Sequence, residues 1–138
     1  MCAKVKRSKL TPGNIHRILT RQGVIAGLWG FDSGSRYNAR IESIPTFWKS
    51  INSNRGIMQV DSFWEKDKEF IAADHTLLNL GVLYNDNMEF ALITQPADEL
   101  ISKYHHRMPL IIPNDQVNTF MEKPEIFTTD FGKVKLTA

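Results

Sequence analysis

The sequence predicts an α+β fold in a single domain spanning residues 1–138, built on a mainly antiparallel β-sheet or distorted barrel with a few short helices. Three observations predict it. Short runs rich in apolar, β-branched and aromatic residues fill the middle of the chain. Helical spacing is confined to one early and two late stretches. Strand and helix never alternate in the βαβ rhythm that a parallel sheet needs. No repeat, low-complexity tract or linker divides the 138 residues, and a 42% hydrophobic content is enough for one buried core.

Taken in order, residues 11–23 read as a short helix, with Thr11 as N-cap, Pro12 in the first position, Ile15, Ile18 and Leu19 on one face, and Gly23 as the stop. Residues 24–31, 55–65, 68–73, 76–84 and 88–94 read as strands, with the sequence Tyr84-Asn85-Asp86-Asn87 turning the last two into a hairpin. Residues 96–106 read as a helix that carries Leu100, Ile101 and Tyr104, and 108–113 as a buried strand. A further helix over 114–123 precedes a closing strand or tail over 125–138.

Composition narrows the function. The net charge of +2 is too small for a general polycation, yet Lys4, Lys6, Arg7 and Lys9 crowd the amino end, either as a solvated terminus or as a basic rim for an anionic substrate. His16, His75, His105 and His106 lack carboxylates or thiols at ligand spacing, so neither a metal nor another cofactor is expected. No apolar run of about eighteen residues exists, and the amino end is basic where a signal peptide would be apolar. A soluble, cytoplasmic monomer with no membrane partner is the expectation.

The single cysteine, Cys2, excludes an internal disulfide and stands beside the initiator methionine. Removal of Met1 would give Cys2 a free α-amine and a thiol two carbons apart. Their ordinary pKa values, ~7.7–8.0 and ~8.5, place both nucleophiles within reach of neutral pH. An aldehyde meeting this 1,2-aminothiol forms an imine with the nitrogen, then a five-membered thiazolidine as sulfur adds to the same carbon. A small residue after the start codon is the plainer reading.

Three further constellations place polar groups where packing alone would not ask for them. In Asn38-Ala39-Arg40-Ile41-Glu42 the polar residues alternate at period two, so on a strand they share one face. The amide could orient a substrate and the guanidinium could hold a phosphate, or the face could simply be solvated. Glu65 follows Phe63 and Trp64, where partial desolvation would raise its pKa and let it act as a general acid. The other acids between Asp61 and Asp74 suit an ordinary surface equally well. His105 and His106 cannot point the same way on a helix or a strand, so at most one faces a given pocket, as a proton shuttle or as a capping group. Arginines with the aromatics Trp29, Phe47 and Trp48 fit single-stranded nucleic acid, although most aromatics in a small β-rich domain are core.

Taken together, the initial Met-Cys, GLWGF at 27–31, NARIES at 38–43, FWE at 63–65 and HHRMPLII at 105–112 resemble, in order, the motifs of the SOS response-associated peptidase family of abasic-site processing proteins. That pattern runs Met-Cys-Gly-Arg, Trp-Gly-Leu, Asn-Ala-Arg-x-Glu, Gly-Phe-Tyr-Glu-Trp and His-x-Arg-Met-Pro. NLGVLY at 79–84 is similar to the family's Ala-Gly-Leu-Trp strand. The resemblance covers Cys2 and approximately residues 24–112. It implies recognition of abasic sites in single-stranded DNA and a covalent DNA–protein crosslink through Cys2, as part of the DNA-damage response.

Carried over by position, the resemblance implies catalytic roles for four residues. Cys2 is the nucleophile, Asn38 positions the cysteine and the sugar, Glu65 assists ring opening and proton transfer, and His105 is the catalytic histidine. It implies DNA contacts from Lys4, Trp29, Arg40 and Arg107. The chain departs from the pattern in having Lys4 for arginine, in lacking an aromatic after Glu65, and in a shorter segment before Trp29, which makes it a compact variant. Two alternatives use the same residues: a thiol peptidase or autoprocessing hydrolase in which Cys2 attacks an amide with His105 as base, and a non-catalytic module that binds single-stranded DNA.

Overall fold

The computed structural model describes residues 5–6, 12–34, 36–51, 54–122 and 135–137. Among these the strands are β1 (Val5–Lys6), β2 (Ile15–Thr20), β3 (Gly23–Trp29), β4 (Asn38–Arg40), β5 (Arg55–Val60), β6 (Ser62–Glu65), β7 (Lys68–Ala72), β8 (Leu78–Tyr84), β9 (Glu89–Pro96), β10 (Arg107–Pro109) and β11 (Leu136–Thr137). Two short helices, α1 (Phe31–Gly34) and α2 (Val117–Glu122), accompany them. The class is α+β, as the sequence predicts. No helix among the described residues is long and apolar enough to cross a membrane.

Hydrogen bonding closes a ring, running β9–β3–β2–β5–β8 and back to β9, with β10 and β4 attached to β9. The ring mixes parallel and antiparallel pairs and is not a regular barrel, because β3 and β4 lie parallel to β9 while β8 and β10 run against it. A second sheet, β1–β6–β7–β11, packs Phe63, Phe70 and Ala72 into the apolar cluster formed by Trp29, Val60, Leu80, Val82, Phe90 and Leu92. The opposite faces of β8 and β9 send Leu83, Ala91 and Ile93 into a second cluster with Ile41, Trp48 and Phe120. Being covered on both faces, these two strands carry near-continuous apolar runs in place of an alternating pattern.

The helix expected over residues 11–23 is instead the β2–β3 hairpin, a correction with a clear physical cause. Ile15, Ile18 and Leu19 fit helical spacing, but the same stretch places His16, Ile18 and Thr20 at period two, and these three are the buried ones. Every residue of β2 pairs with β3, from Ile15↔Leu28 to Thr20↔Gly23. Gly23, with φ of +115°, ends a two-residue turn and not a helix. The Thr20 hydroxyl pins that turn, donating to the Gly23 carbonyl at 2.7 Å and accepting from the Gln22 N–H at 3.2 Å. Thr11 lies outside the described residues.

Of the helix expected over 96–106, one 3₁₀ turn forms, Ile101–Lys103, with the Asp98 carboxylate accepting the Ile101 N–H at 2.8 Å. The strand expected over 108–113 shortens to β10, since Pro109 and Pro113 supply no donor to a ladder; Ile111 keeps an isolated bridge to Leu80. The later helix forms as α2 behind a 3₁₀ turn at Asn114–Gln116. Buried Arg55 donates from Nε to the Phe120 carbonyl at 2.6 Å, tying α2 to β5; burial lowers its pKa to about 10, so it stays charged at neutral pH. Within 125–138 the structure describes only β11 and Lys135, and the remainder lies outside the described residues.

Candidate functional site

Strand β9 organises the polar residues. At Thr94 it pairs with Arg40 of β4 on one edge and with Pro109 of β10 on the other. The Asn38–Arg40 segment and the segment after His105 therefore flank the same stretch of backbone. Glu42 follows β4 in a 3₁₀ turn, Ile41–Ser43. Arg107, only 4% exposed, reaches it with a two-pronged ion pair, Nη1 to Oε2 at 2.6 Å and Nη2 to Oε1 at 2.7 Å. Nη2 also donates to the Thr94 carbonyl at 2.9 Å and to its hydroxyl at 3.2 Å. These hydrogen bonds from Arg107 are the main cause that holds the Glu42 carboxyl at a pKa of about 2. Arg40 stands 3.8 Å from the same carboxylate with its own side chain exposed.

This geometry corrects two expectations. Arg107, expected to grip the DNA backbone, is committed inward, because its guanidinium neutralises Glu42 and satisfies Thr94 beneath the surface. Trp29, expected to touch bases, has no exposed surface at all; it stacks on Phe90 at 6.0 Å and donates from Nε1 to the Tyr37 carbonyl at 2.8 Å. Sequence reasoning assigned neither Glu42 nor Thr94 to the site. For Glu42 a signal was present in its place two residues after Arg40; for Thr94, inside an apolar strand, there was none.

His105 sits half-buried in the bend before β10, which belongs to neither helix nor strand. For that reason its ring stacks on His106 at 4.4 Å, and the two do not point apart as an extended or helical chain would require. The His105 Nδ1 lies 3.0 Å from the Arg107 N–H and 3.4 Å from the Arg107 carbonyl, and accepting the shorter of the two leaves the proton of the neutral ring on Nε2. Burial is the largest cause that lowers its pKa, and the charges of His106 and Lys66 push the same way. The influence of Lys66 puts the turn after β6 within electrostatic reach of His105.

Glu65 is the last residue of β6, before the Lys66–Asp67 turn in which Lys66 adopts φ of +53°. It is 1% exposed, and burial raises its pKa above the ordinary carboxyl value. Tyr104, next to His105, packs edge-on at 5.5 Å against Phe70, which itself stacks on Phe63 at 5.5 Å. This aromatic chain docks the histidine bend onto the hairpin that carries Glu65. Strand β1 runs antiparallel to β6 with Val5↔Phe63 and Lys6↔Ser62, so its N-terminal end points along β6 toward Glu65. Asn38 is half-buried at the start of β4. Cys2 and Lys4 lie outside the described residues.

Among the described residues, no three histidines, cysteines or carboxylates gather as metal ligands. A cavity of about 440 Å³ lined by Asp74, Asn79, Asn114 and Lys135 contains none of the candidate residues. It lies beyond Ala72, at the end of the β6–β7 hairpin away from Glu65.

Comparison with known proteins gives a family and a fold. The family model described as SOS response associated peptidase (SRAP) matches residues 31–134. A crystal structure of a protein from Bordetella bronchiseptica aligns with TM-score 0.71 and 20% identity, covering 88% of this chain and 79% of that one. A protein from Bacteroides thetaiotaomicron aligns with TM-score 0.66 and 18% identity over 86% of this chain and 67% of that one. A phage-related protein from Bordetella bronchiseptica gives 0.66 and 19% over 84% and 69%. At these identities the likeness is one of fold. Among curated proteins no match is found.

Proposed function

Because the chain belongs to the SOS response associated peptidase family, we propose that it traps abasic sites in single-stranded DNA by crosslinking to them through Cys2. Membership itself supports a function associated with DNA damage. The observation that carries the finer reading is the course of β1, whose N-terminal end is aimed at buried Glu65, a carboxyl whose pKa burial raises, beside the His105 bend.

The chemistry follows from the groups. An abasic sugar in its open form presents an aldehyde at C1′. With Met1 removed, the Cys2 α-amine adds to that carbon and expels water, giving an imine. The Cys2 thiol then adds across the C=N bond: sulfur bonds to C1′ and its proton ends on nitrogen, so the net change is loss of one water. Glu65, whose pKa burial raises, donates in its protonated form to the sugar ring oxygen as the ring opens. His105, with Nδ1 already engaged, offers its Nε2–H to an oxygen of the sugar. The Asn38 amide orients the cysteine and the sugar, and the exposed Arg40, with Lys4, meets phosphates. Arg107 acts at one remove, holding the backbone N–H that fixes the His105 tautomer.

Incubating the protein with a single-stranded oligonucleotide that carries one abasic site gives an adduct that survives denaturing electrophoresis, while the intact oligonucleotide gives none. Absence of any adduct contradicts the reading. Glu65→Gln is expected to slow crosslinking about 100-fold, the lower end of the range for a positioned general acid. For a raised carboxyl pKa the protonated, active form is lost as pH rises, so the wild-type rate falls on the alkaline side. That fall disappears in Glu65→Gln, and initial rates measured across pH check both statements.

A further inference from the structure

Phe47 is a large apolar ring with 61% of its surface exposed, although its neighbour Trp48 is 7% exposed and packs 5.2 Å from Phe31. The exposed ring is nonetheless held in place. It meets Trp48 edge-on at 4.9 Å, and the Arg36 guanidinium lies over it at 5.1 Å from the ring centre. Arg36 is in turn fixed by Asp32, which accepts its Nε–H at 2.7 Å. A ring that is ordered yet open to solvent is pre-organised to receive another flat group.

Its position matters as much as its exposure. The backbone N–H of Trp48 donates to the carbonyl of Ser43, the residue after Glu42, which folds the chain at Phe47–Trp48 back onto the turn that follows β4. Arg36, over the ring, is exposed, as are Arg40 and Lys49 in the same stretch of chain. Of the carboxylates in this stretch, Asp32 is tied to Arg36 and Glu42 to Arg107. An exposed aromatic among cations fits single-stranded nucleic acid, in which bases stack and phosphates follow positive charge.

We propose that Phe47 is a stacking platform for a base of single-stranded DNA next to the lesion, with the Arg36 guanidinium flanking that base and Arg40 and Lys49 holding its phosphates. This deepens the DNA reading above and rests on it. It also supplies the exposed aromatic that Trp29, buried in the core, cannot be.

The test uses an oligonucleotide with a tetrahydrofuran abasic analogue, which has no aldehyde and so reports binding without crosslinking, and with 2-aminopurine beside it. Wild type is expected to quench the 2-aminopurine. Phe47→Ala is expected to lose the quenching and to bind about tenfold more weakly, and Phe47→Trp to restore both. Equal affinity and equal quenching in wild type and Phe47→Ala, or no binding by wild type, overturns the platform. A true abasic oligonucleotide at saturation separates the two readings, because Phe47→Ala leaves Cys2 and Glu65 untouched. Crosslinking with unchanged affinity sinks the platform alone. Weakened affinity in Phe47→Ala with no crosslink even from wild type supports the platform and sinks the proposed reaction.

Discussion

Cys2→Ala is expected to reduce the denaturation-resistant adduct with abasic DNA to background while leaving the melting temperature unchanged. Alanine keeps the α-amine, so the imine still forms and can still be captured by borohydride. What is lost is the second bond. Without sulfur the imine hydrolyses on denaturation, and no other thiol in the 138 residues can replace it. Denaturing electrophoresis with and without borohydride checks the result. An adduct that persists in Cys2→Ala without reductant would place the linkage on another nucleophile.

Glu42→Ala is expected to destabilise the protein by about 3–5 kcal/mol, because it strands the Arg107 charge in a site where that residue is 4% exposed. For a chain of this length the loss appears as a melting-temperature drop of roughly 10 °C or more. Adding Arg107→Met removes the stranded charge, so the double variant should recover part of the loss. Thermal melts of the single and double variants decide this; a double variant less stable than Glu42→Ala would contradict it.

The same pair sets a pH limb. The folded Glu42 pKa of about 2 lies below its unfolded value near ~4.3, so this stabilisation is present above about pH 4.5 and drains as pH falls toward 2. The Glu42 side chain is 47% exposed, so after discounting for solvent screening the pH-dependent part is about 1–2 kcal/mol. Glu42→Gln should lack that limb.

How far the sequence spoke depended on whether a signal was local. Strands β7 to β9 were readable because β-branched and aromatic runs broke at Lys66–Asp67, at Asp74 and at the Asn85–Asn87 turn, whereas the single strand expected over 55–65 divides at Asp61 into β5 and β6. Strand β2 was not, since Ile15, Ile18 and Leu19 fit the helical period while His16, Ile18 and Thr20 fit the strand period, and only pairing with β3 and β5 decides between them. Burial of Glu65 could be read from Phe63 and Trp64 just before it. The ion pair of Glu42 and Arg107 spans 65 positions, so neither partner's neighbours announce it. Trp29 was misread for a related reason: an aromatic between Leu28 and Gly30 looks the same in sequence whether it faces solvent or the Phe90 ring.

The most direct measurement is the mass of the crosslinked species after nuclease and protease digestion. The account predicts a chain that has lost Met1 and carries one sugar remnant less one water, with the modification confined to the N-terminal peptide and held by both the nitrogen and the sulfur of Cys2. A remnant on a lysine side chain, or Met1 still present on the crosslinked protein, would contradict it.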